Sequence, residues 1–502
     1  MTDLPALVIV FPIFASIVVL LFGLVRQRIG WPIATIASVV QVAMAGSLAI
    51  RGFDGDPVRY VVGGFTTPYG IELVIDGLSA TMIVLVAVVA LGVLGYARTA
   101  GPRSNSFYAT YLLLVAGLTG MSATGDMFNM YVFLEITGLT AYALVASGKS
   151  GRSALAALKY LLVGTFGASL FLLGIGYAYV ATGTLNMNDL SGQLAAVGHT
   201  SPLVQAAFGL LVVGLFVKIA VFPLHTWQPA AYAGAPDTVS SLISALVSTV
   251  SAYALLRIVF SVFTVDFLAA NPFARNVLMA GATISIVVGS LLAVAQNEIK
   301  QLLAYSSVSQ FGLIIGAIAV GNGTALTGAA IHLVGHAIMK GGLFLTSGLI
   351  GNSTGARTVE EFEGLGKYLP AGAGSFGIIA LAMVGVPPTI GFVGKWYIAL
   401  GAVEAQSWPL AVIILLSTLL TLAYFARLIE RMYFREPATT TSSVETTETT
   451  AAIDVATDGT GTAPSMGMWM TVVATAVLSV VLGVVAFEYG QLLEPTIEHL
   501  LP

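Results

Sequence analysis

The sequence of 502 residues contains no cysteine. It therefore supplies no thiolate for an iron–sulfur cluster or a cysteine-based zinc site, and no disulfide to mark a compartment. Charge is nearly as scarce: Asp, Glu, Lys and Arg make up 9% of the chain, against 57% hydrophobic residues and a mean hydropathy of +0.93. An ordinary water-facing protein carries roughly a quarter of its residues charged. The sequence also lacks a G-x-x-x-x-G-K-[ST] phosphate loop and a convincing G-x-G-x-x-G turn after a strand, so neither nucleotide hydrolysis nor dinucleotide binding is indicated. The formal charge of −4 argues against nucleic acid as a partner. We expect no cofactor and no bound metal.

What is present is a succession of apolar runs, each near the roughly 20 residues that cross a bilayer. They predict an all-α polytopic membrane protein with fourteen helices, α1 to α14 in chain order, near 4–25, 31–50, 76–97, 107–123, 127–147, 155–181, 203–222, 238–262, 276–295, 301–320, 325–350, 373–399, 408–433 and 467–488. The first run lacks the charged start and small-residue cleavage site of a signal peptide and is read as a retained helix. An even number of crossings puts both termini on one side. Alternate loops then collect Arg26, Arg28, Arg98, Arg103, Lys149, Arg152, Lys159, Lys300, Arg357, Lys367, Arg427, Arg431 and Arg435 on one side, against Arg51, Arg59 and Arg275 on the other. By the positive-inside rule the richer side is cytoplasmic, which places both termini outside a cell membrane. Residues 51–75, with Gly63-Gly64 and Tyr60, Val62 and Phe65, suggest a small external hairpin. Residues 436–465, Thr-rich and acidic without Lys or Arg, read as a disordered cytoplasmic linker with no catalytic role.

Two apolar helices are interrupted by proline next to a lysine: α7 at Pro223 with Lys218, and α12 at Pro387-Pro388 with Lys395. Proline frees backbone carbonyls, which a membrane interior tolerates where protein or a wet cavity satisfies them. Paired broken helices in two halves of a transporter point to an ion site. The lysine precedes the proline in α7 and follows it in α12, an order we read as a mark of opposite topology.

The ionisable residues inside these runs carry the functional signal, because a lone charge at mid-bilayer costs several kcal/mol, roughly 3 even on insertion scales. Glu135 in α5 needs a partner, and Lys218 in α7 is the obvious one; a structural ion pair gluing two helices is the alternative. In α11, His332, His336 and Lys340 recur every four residues and so share one face. Stacked imidazoles suit a proton relay. Zinc and histidines bonded to serines or carbonyls are the other readings, though no carboxylate or cysteine lies nearby in sequence to complete a metal site. Lys395 is placed as an exit gate, with snorkelling to the interface as its alternative. Lys159, His225, Ser248, Thr249 and Lys300 are candidates for path support; Lys159 and Lys300 also read as helix anchors, and Glu298 beside Lys300 as an aid to proton entry. A sodium site wants several oxygen ligands, to which Glu135 or Asp126 could contribute.

At four places the residues match known sequence blocks: Gly125 to Glu135 (GDMFNMYVFLE), Lys218 to Pro236, Lys300 to Gln310 (KQLLAYSSVSQ) and Gly385 to Phe392 (GVPPTIGF). Over nearly its whole length the chain resembles the antiporter-like subunits of Mrp-type Na+/H+ antiporters and respiratory complex I. Among these it most resembles the D-type Mrp subunits, on the first block and on Thr182 to Met187 (TGTLNM). The resemblance implies N-terminal helices over 1–106, two inverted five-helix repeats over 107–262 (α4–α8) and 276–433 (α9–α13), and a last helix over 467–488. It implies Glu135 and Lys218 as a working pair, the α11 histidines as the central connection and Lys395 as the terminal lysine. It further implies a non-enzymatic subunit that moves H+, with Na+ as the coupled cation, within a hetero-oligomeric membrane complex; the alternative is the membrane arm of a redox-driven pump. One departure stands out: Thr249 occupies the α8 position where the family often has a lysine or histidine, which puts the coupling of Lys218 to His332 in question. Ser244, Ser248, Thr249 and Ser251 offer hydroxyls for a hydrated path instead.

Overall fold

The computed structural model describes residues 3–54, 56–436 and 464–501. The expected linker at 436–465 lies, but for its ends, outside them.

Among the described residues thirteen helices are long and apolar enough to span a membrane. They are α1 Leu4–Val25, α2 Gly30–Gly52, α3 Gly77–Ala100, α4 Asn105–Ala123, α5 Met127–Ala146, α6 Gly151–Thr182, the first part of α7 (Pro202–Ile219), α8 Asp237–Ala270, α9 Pro272–Val294, α10 Ile299–Val320, α11 Gly323–Thr354, α13 Trp408–Phe434 and α14 Met466–Leu500. The fourteenth crossing, α12, is split into two shorter pieces, Pro370–Val384 and Ile390–Glu404. A short helix follows the break in α7, at Trp227–Gly234. Another, Met187–Val197, was not foreseen and lies between α6 and α7.

The predicted hairpin is present, as strand β1 Val58–Val61 antiparallel to β2 Glu72–Ile75. Leu4 of α1 packs in the same small core as Val58 and Tyr60, and Thr496 and His499 of α14 line a pocket with Arg59. The start of α1 and the end of α14 therefore lie on the hairpin face. The opposite face carries the arginine-rich loops.

Local chemistry fixes many of the helix ends. Asp126 accepts the Asn129 amide (2.7 Å), Asn322 accepts that of Ala325 (2.8 Å), and Ser150 caps α6 through the Ser153 amide. The α6 and α11 helices each run for 32 residues and each stop at a glycine with positive φ, Gly183 or Gly355. α11 begins 172 residues after α6 (151→323), and two isolated strand bridges keep the same interval, Asp126 with Asn186 and Glu298 with Thr358 (126→298, 186→358). The breaks also correspond: Ala220 and Gly385 have positive φ, and three residues on each is a cis proline, Pro223 or Pro388. Matching features thus recur in the same chain order. A rotation relating two inverted repeats would preserve chain order, so the exchanged positions of lysine and proline in α7 and α12 do not follow from inverted topology, contrary to the sequence expectation.

Burial ranks the helices by position. α8, α10 and α11 are enclosed along nearly their whole length, with 94%, 89% and 94% of residues in their most apolar windows buried, while α1, α2 and α14 are buried over a third or less. The polar helix α11 is thus central. α8 is not regular: single π-helical stretches occur at Ile243–Val247 and Ile258–Phe263, on either side of a regular segment Ser248–Arg257.

Candidate functional site: a buried row of acid and base

In the first half, Lys218 Nζ lies 3.9 Å from Glu135 Oε1. The lysine comes from the last turn before the α7 break and is 4% exposed, while the Glu135 side chain is 24% exposed. The same ammonium donates to Tyr142 Oη at 3.1 Å. Tyr142 was missed in the sequence, although it stands seven residues after Glu135, two turns along one face of α5. Its place is held by aromatic packing: Tyr142 meets Tyr160 edge-on (4.5 Å), and Tyr160 stacks on Trp227 (4.0 Å), whose Nε1 donates to the Val217 carbonyl at 2.8 Å. Gly164 leaves the room, since a Cβ there would fall 2.0 Å from Tyr142 Oη.

In the centre, His332, His336 and Lys340 are wholly buried on α11. His332 Nε2 lies 3.0 Å from Gln310 Oε1 on α10. Both ring nitrogens of His336 lack a hydrogen-bond partner among the described residues, with the Phe311 ring 4.5 Å away. Lys340 donates to the Leu303 carbonyl (2.8 Å) and to Ser306 Oγ. Among the described residues no three His, Asp or Glu stand close enough to hold a metal.

Lys395 sits on the second part of α12 and turns inward, donating to the carbonyls of Met383 (2.8 Å) and Val384 (3.0 Å). Those carbonyls end the first part of α12, so the break supplies the acceptors that the charge needs. The side chain is 6% exposed, and its ammonium is not lifted to a surface. Gly394 brings this helix against α11: a Cβ there would meet His332 Cβ at 2.9 Å.

The supporting candidates divide. Lys159 is exposed on α6. Lys300 is buried and pairs with Asp237 (2.9 Å) and the Ala235 carbonyl (2.7 Å), not with Glu298, which pairs with Arg152 (2.6 Å). Asp237, at the start of α8, also meets Arg357 (3.2 Å), and sequence reading gave no hint of it. His225 lies in the α7 break, stacked on Phe222 (5.1 Å) and 5.8 Å from Tyr305. Ser248 Oγ is within reach of the Lys218 carbonyl (3.5 Å), Tyr232 Oη (3.3 Å) and Gln228 Nε2 (3.4 Å). Ser244 and Ser251 bond back to carbonyls of their own helix. Thr249 Oγ1 is fully buried with no partner among the described residues.

A buried lysine or histidine can hold a proton or release it as its neighbours change, and a row of such groups can pass charge stepwise. The unpaired polar atoms of Glu135, Thr249, His332 and His336 mark where such a row has spare hydrogen-bonding capacity.

Comparison with known proteins shows the family. Residues 124–421, more than half of the chain, match the family described as NADH:quinone oxidoreductase/Mrp antiporter, TM. The chain is 45% identical over 444 residues to NADH-quinone oxidoreductase subunit N of Desulforudis audaxviator, covering 86% of this chain and 87% of that protein. It is 30% identical over 441 residues to the D-type subunit of the Na(+)/H(+) antiporter of Bacillus subtilis, covering 87% and 88%. A chain of the Mrp complex from Dietzia sp. superposes with a TM-score of 0.88 at 26% identity, covering 99% of this chain and 97% of that one.

Proposed function

From the premise that the chain belongs to the NADH:quinone oxidoreductase/Mrp antiporter transmembrane family, we propose that it conducts protons along the row Glu135, Lys218, His332, His336, Lys340 and Lys395. It is an antiporter-like membrane subunit of the kind found in Mrp antiporters and complex I-like assemblies, a transporter component rather than an enzyme. The observation that carries the path is the burial of all four lysines and histidines beyond Lys218 together with Lys218 itself, which keeps Glu135 beside it, and the position of Lys218 and Lys395 at the two helix breaks.

The chain comprises two repeats, α4–α8 and α9–α13, which the shared 172-residue interval and the matching breaks support. The hairpin face is external and the arginine-rich face cytoplasmic, as the loop charges favour. Protons enter from the cytoplasmic side, exchange at Lys218 under the control of Glu135, pass along α11 and leave by Lys395, or run in reverse; the driving force sets the direction. Na+ is the coupled cation, as in the name of the Bacillus relative.

A neighbouring membrane subunit covers Glu135. Phe128, Val132 and Leu139 are exposed on the same side of α5 as the partly exposed Glu135, and a carboxylate there cannot face lipid at acceptable cost.

Replacing Lys218 or Glu135 by alanine is expected to abolish ion-dependent pH changes in vesicles that hold the full assembly. Transport at the wild-type rate by either well-assembled variant would sink the reading. A redox-driven assembly is the second reading, favoured by the higher identity to the subunit N protein. Co-purification separates them: NADH-oxidising or hydrogenase-type subunits select the pump, and a set of small membrane subunits selects the antiporter. If Thr249 instead marks a decayed path, wild type shows no transport and Thr249→Lys restores it.

A further inference from the structure

One cavity plays no part in the row described above. On the hairpin face, a pocket of about 340 Å³ is walled by Arg59 and Glu72 of the hairpin, Asp76 capping α3 just outside its first turn, Ser79 of α3, and His499 of α14. Its inner wall is α8, which presents Tyr253 and Arg257. Asp76 and Arg257 pair directly, with only 14% and 11% of their side chains exposed. Arg257 also donates to Ser79 Oγ (2.9 Å) and, through Nε, to Tyr253 Oη (3.0 Å). Tyr253 Oη donates to the Ser122 carbonyl (2.9 Å) and lies 3.0 Å from Ser79 Oγ.

The polar groups continue inward. Arg257, Tyr253 and Thr249 are four residues apart on the regular segment of α8, so they stack on one face, about 6 Å of rise per step. Thr249 Oγ1 stands in this line, buried and unpartnered among the described residues. Beside it Ser248 reaches Tyr232, Gln228 and the backbone of Lys218. The hydroxyls of Tyr253, Thr249 and Ser248 on α8 are thus spaced between the pocket and the backbone of Lys218, on a helix other than α11 and away from Lys395.

We propose that this pocket is the mouth of a second access route, by which hydronium or a small hydrated monovalent cation reaches Lys218 from the hairpin face, with the Asp76–Arg257 pair as its gate. What Lys218 does with the ion rests on the function proposed above; the route itself does not. Arg257 cannot shed its proton, so its fixed charge repels cations at the pocket floor, and Asp76 offsets that charge. Thr249 then has a positive role. A lysine at 249 would bring an ammonium that only donates, whereas a hydroxyl can both accept and donate along the line.

The cysteine-free chain makes the route measurable. Single variants Ser79→Cys and Thr249→Cys, both near-isosteric, are treated in the complete complex with a membrane-impermeant cationic thiosulfonate from either face, and labelled peptides of this chain are quantified by mass. Tyr69→Cys on the hairpin and Arg28→Cys on the basic face, both exposed positions, calibrate the two sides. Labelling of Ser79→Cys and, about tenfold more slowly, of Thr249→Cys is expected from the Tyr69 side, with Thr249→Cys faster when Arg257 is also replaced by glutamine. Labelling of Thr249→Cys only from the Arg28 side, or from neither side while Ser79→Cys reacts, overturns the route. Loss of transport in Lys218→Ala bears on the proposed function alone and leaves the labelling pattern unchanged.

Discussion

The two halves of the buried row solve the same problem differently. In the first, the lysine ammonium faces a carboxylate, Glu135, and a phenol, Tyr142. In the second, Lys340 and Lys395 face only carbonyls and a serine hydroxyl, and His332 faces an amide. The first half can keep its charge while buried, because an opposite charge accompanies it. The second has no buried acid beside it among the described residues. Like charges one helical turn apart, about 6 Å, repel by roughly 3 kcal/mol at an effective dielectric near 20. The α11 row therefore favours one extra proton at a time, as a relay requires, whereas the Glu135–Lys218 pair suits a switch that holds charge until its partner changes.

The largest effect should come from erasing this difference. Ser306→Asp gives Lys340 a carboxylate in place of the hydroxyl it already touches; a fixed ion pair then holds the proton, and proton flux in vesicles containing the full complex should fall by more than about tenfold. Unchanged flux would show that the acid-free surroundings of Lys340 do not matter. Next comes the tyrosine on the other side: Tyr142→Phe removes one hydrogen bond to Lys218, worth about 1 kcal/mol or about fivefold in rate, and should slow transport with little change in assembly. Two smaller changes should be read as stability. Gly394→Ala puts a methyl 2.9 Å from His332 Cβ and should cost about 1–3 kcal/mol in the thermal midpoint of the complex, or the α11–α12 contact is looser than described. Gln310→Leu strands His332 Nε2 in the core, at about 1–3 kcal/mol, and a neutral outcome would mean that the imidazole has another partner.

A pH scan should add the least. Burial tends to raise the Asp76 carboxyl, but the charge and hydrogen bonds of Arg257 and the Ser79 contacts outweigh it and hold Asp76 below the ordinary carboxylate value. Its contribution is thus fully present above the unfolded value and is lost as pH falls through the lower folded one. Between pH 5 and 8 the Asp76→Asn variant should show a constant deficit in thermal stability relative to wild type, and a deficit that varied across that range would point to a different ionisable group.

Much of the row was legible because its cues are local. Lysines beside prolines, a glutamate among apolar residues and histidines every fourth position are visible in a one-dimensional string. Tyr142, Gln310 and Asp237 were not, since a tyrosine, glutamine or helix-start aspartate is unremarkable until another helix brings a lysine or histidine to it. Glu298 was expected beside Lys300 from adjacency alone, but neighbours in sequence at a helix start point in different directions, and Asp237 from another helix takes its place.

The sequence by itself determined the number of crossings, the places where α7 and α12 break, and the single face shared by His332, His336 and Lys340, because hydropathy, proline and the helical period act within a few residues of chain. Only the tertiary structure decided which charge has an acid beside it, that Lys395 folds back onto the carbonyls of its own broken helix, and that Tyr253 and Arg257 of α8 wall a pocket on the hairpin face. Those outcomes depend on how closely helices approach, which glycines such as Gly164 and Gly394 permit and no local pattern reveals.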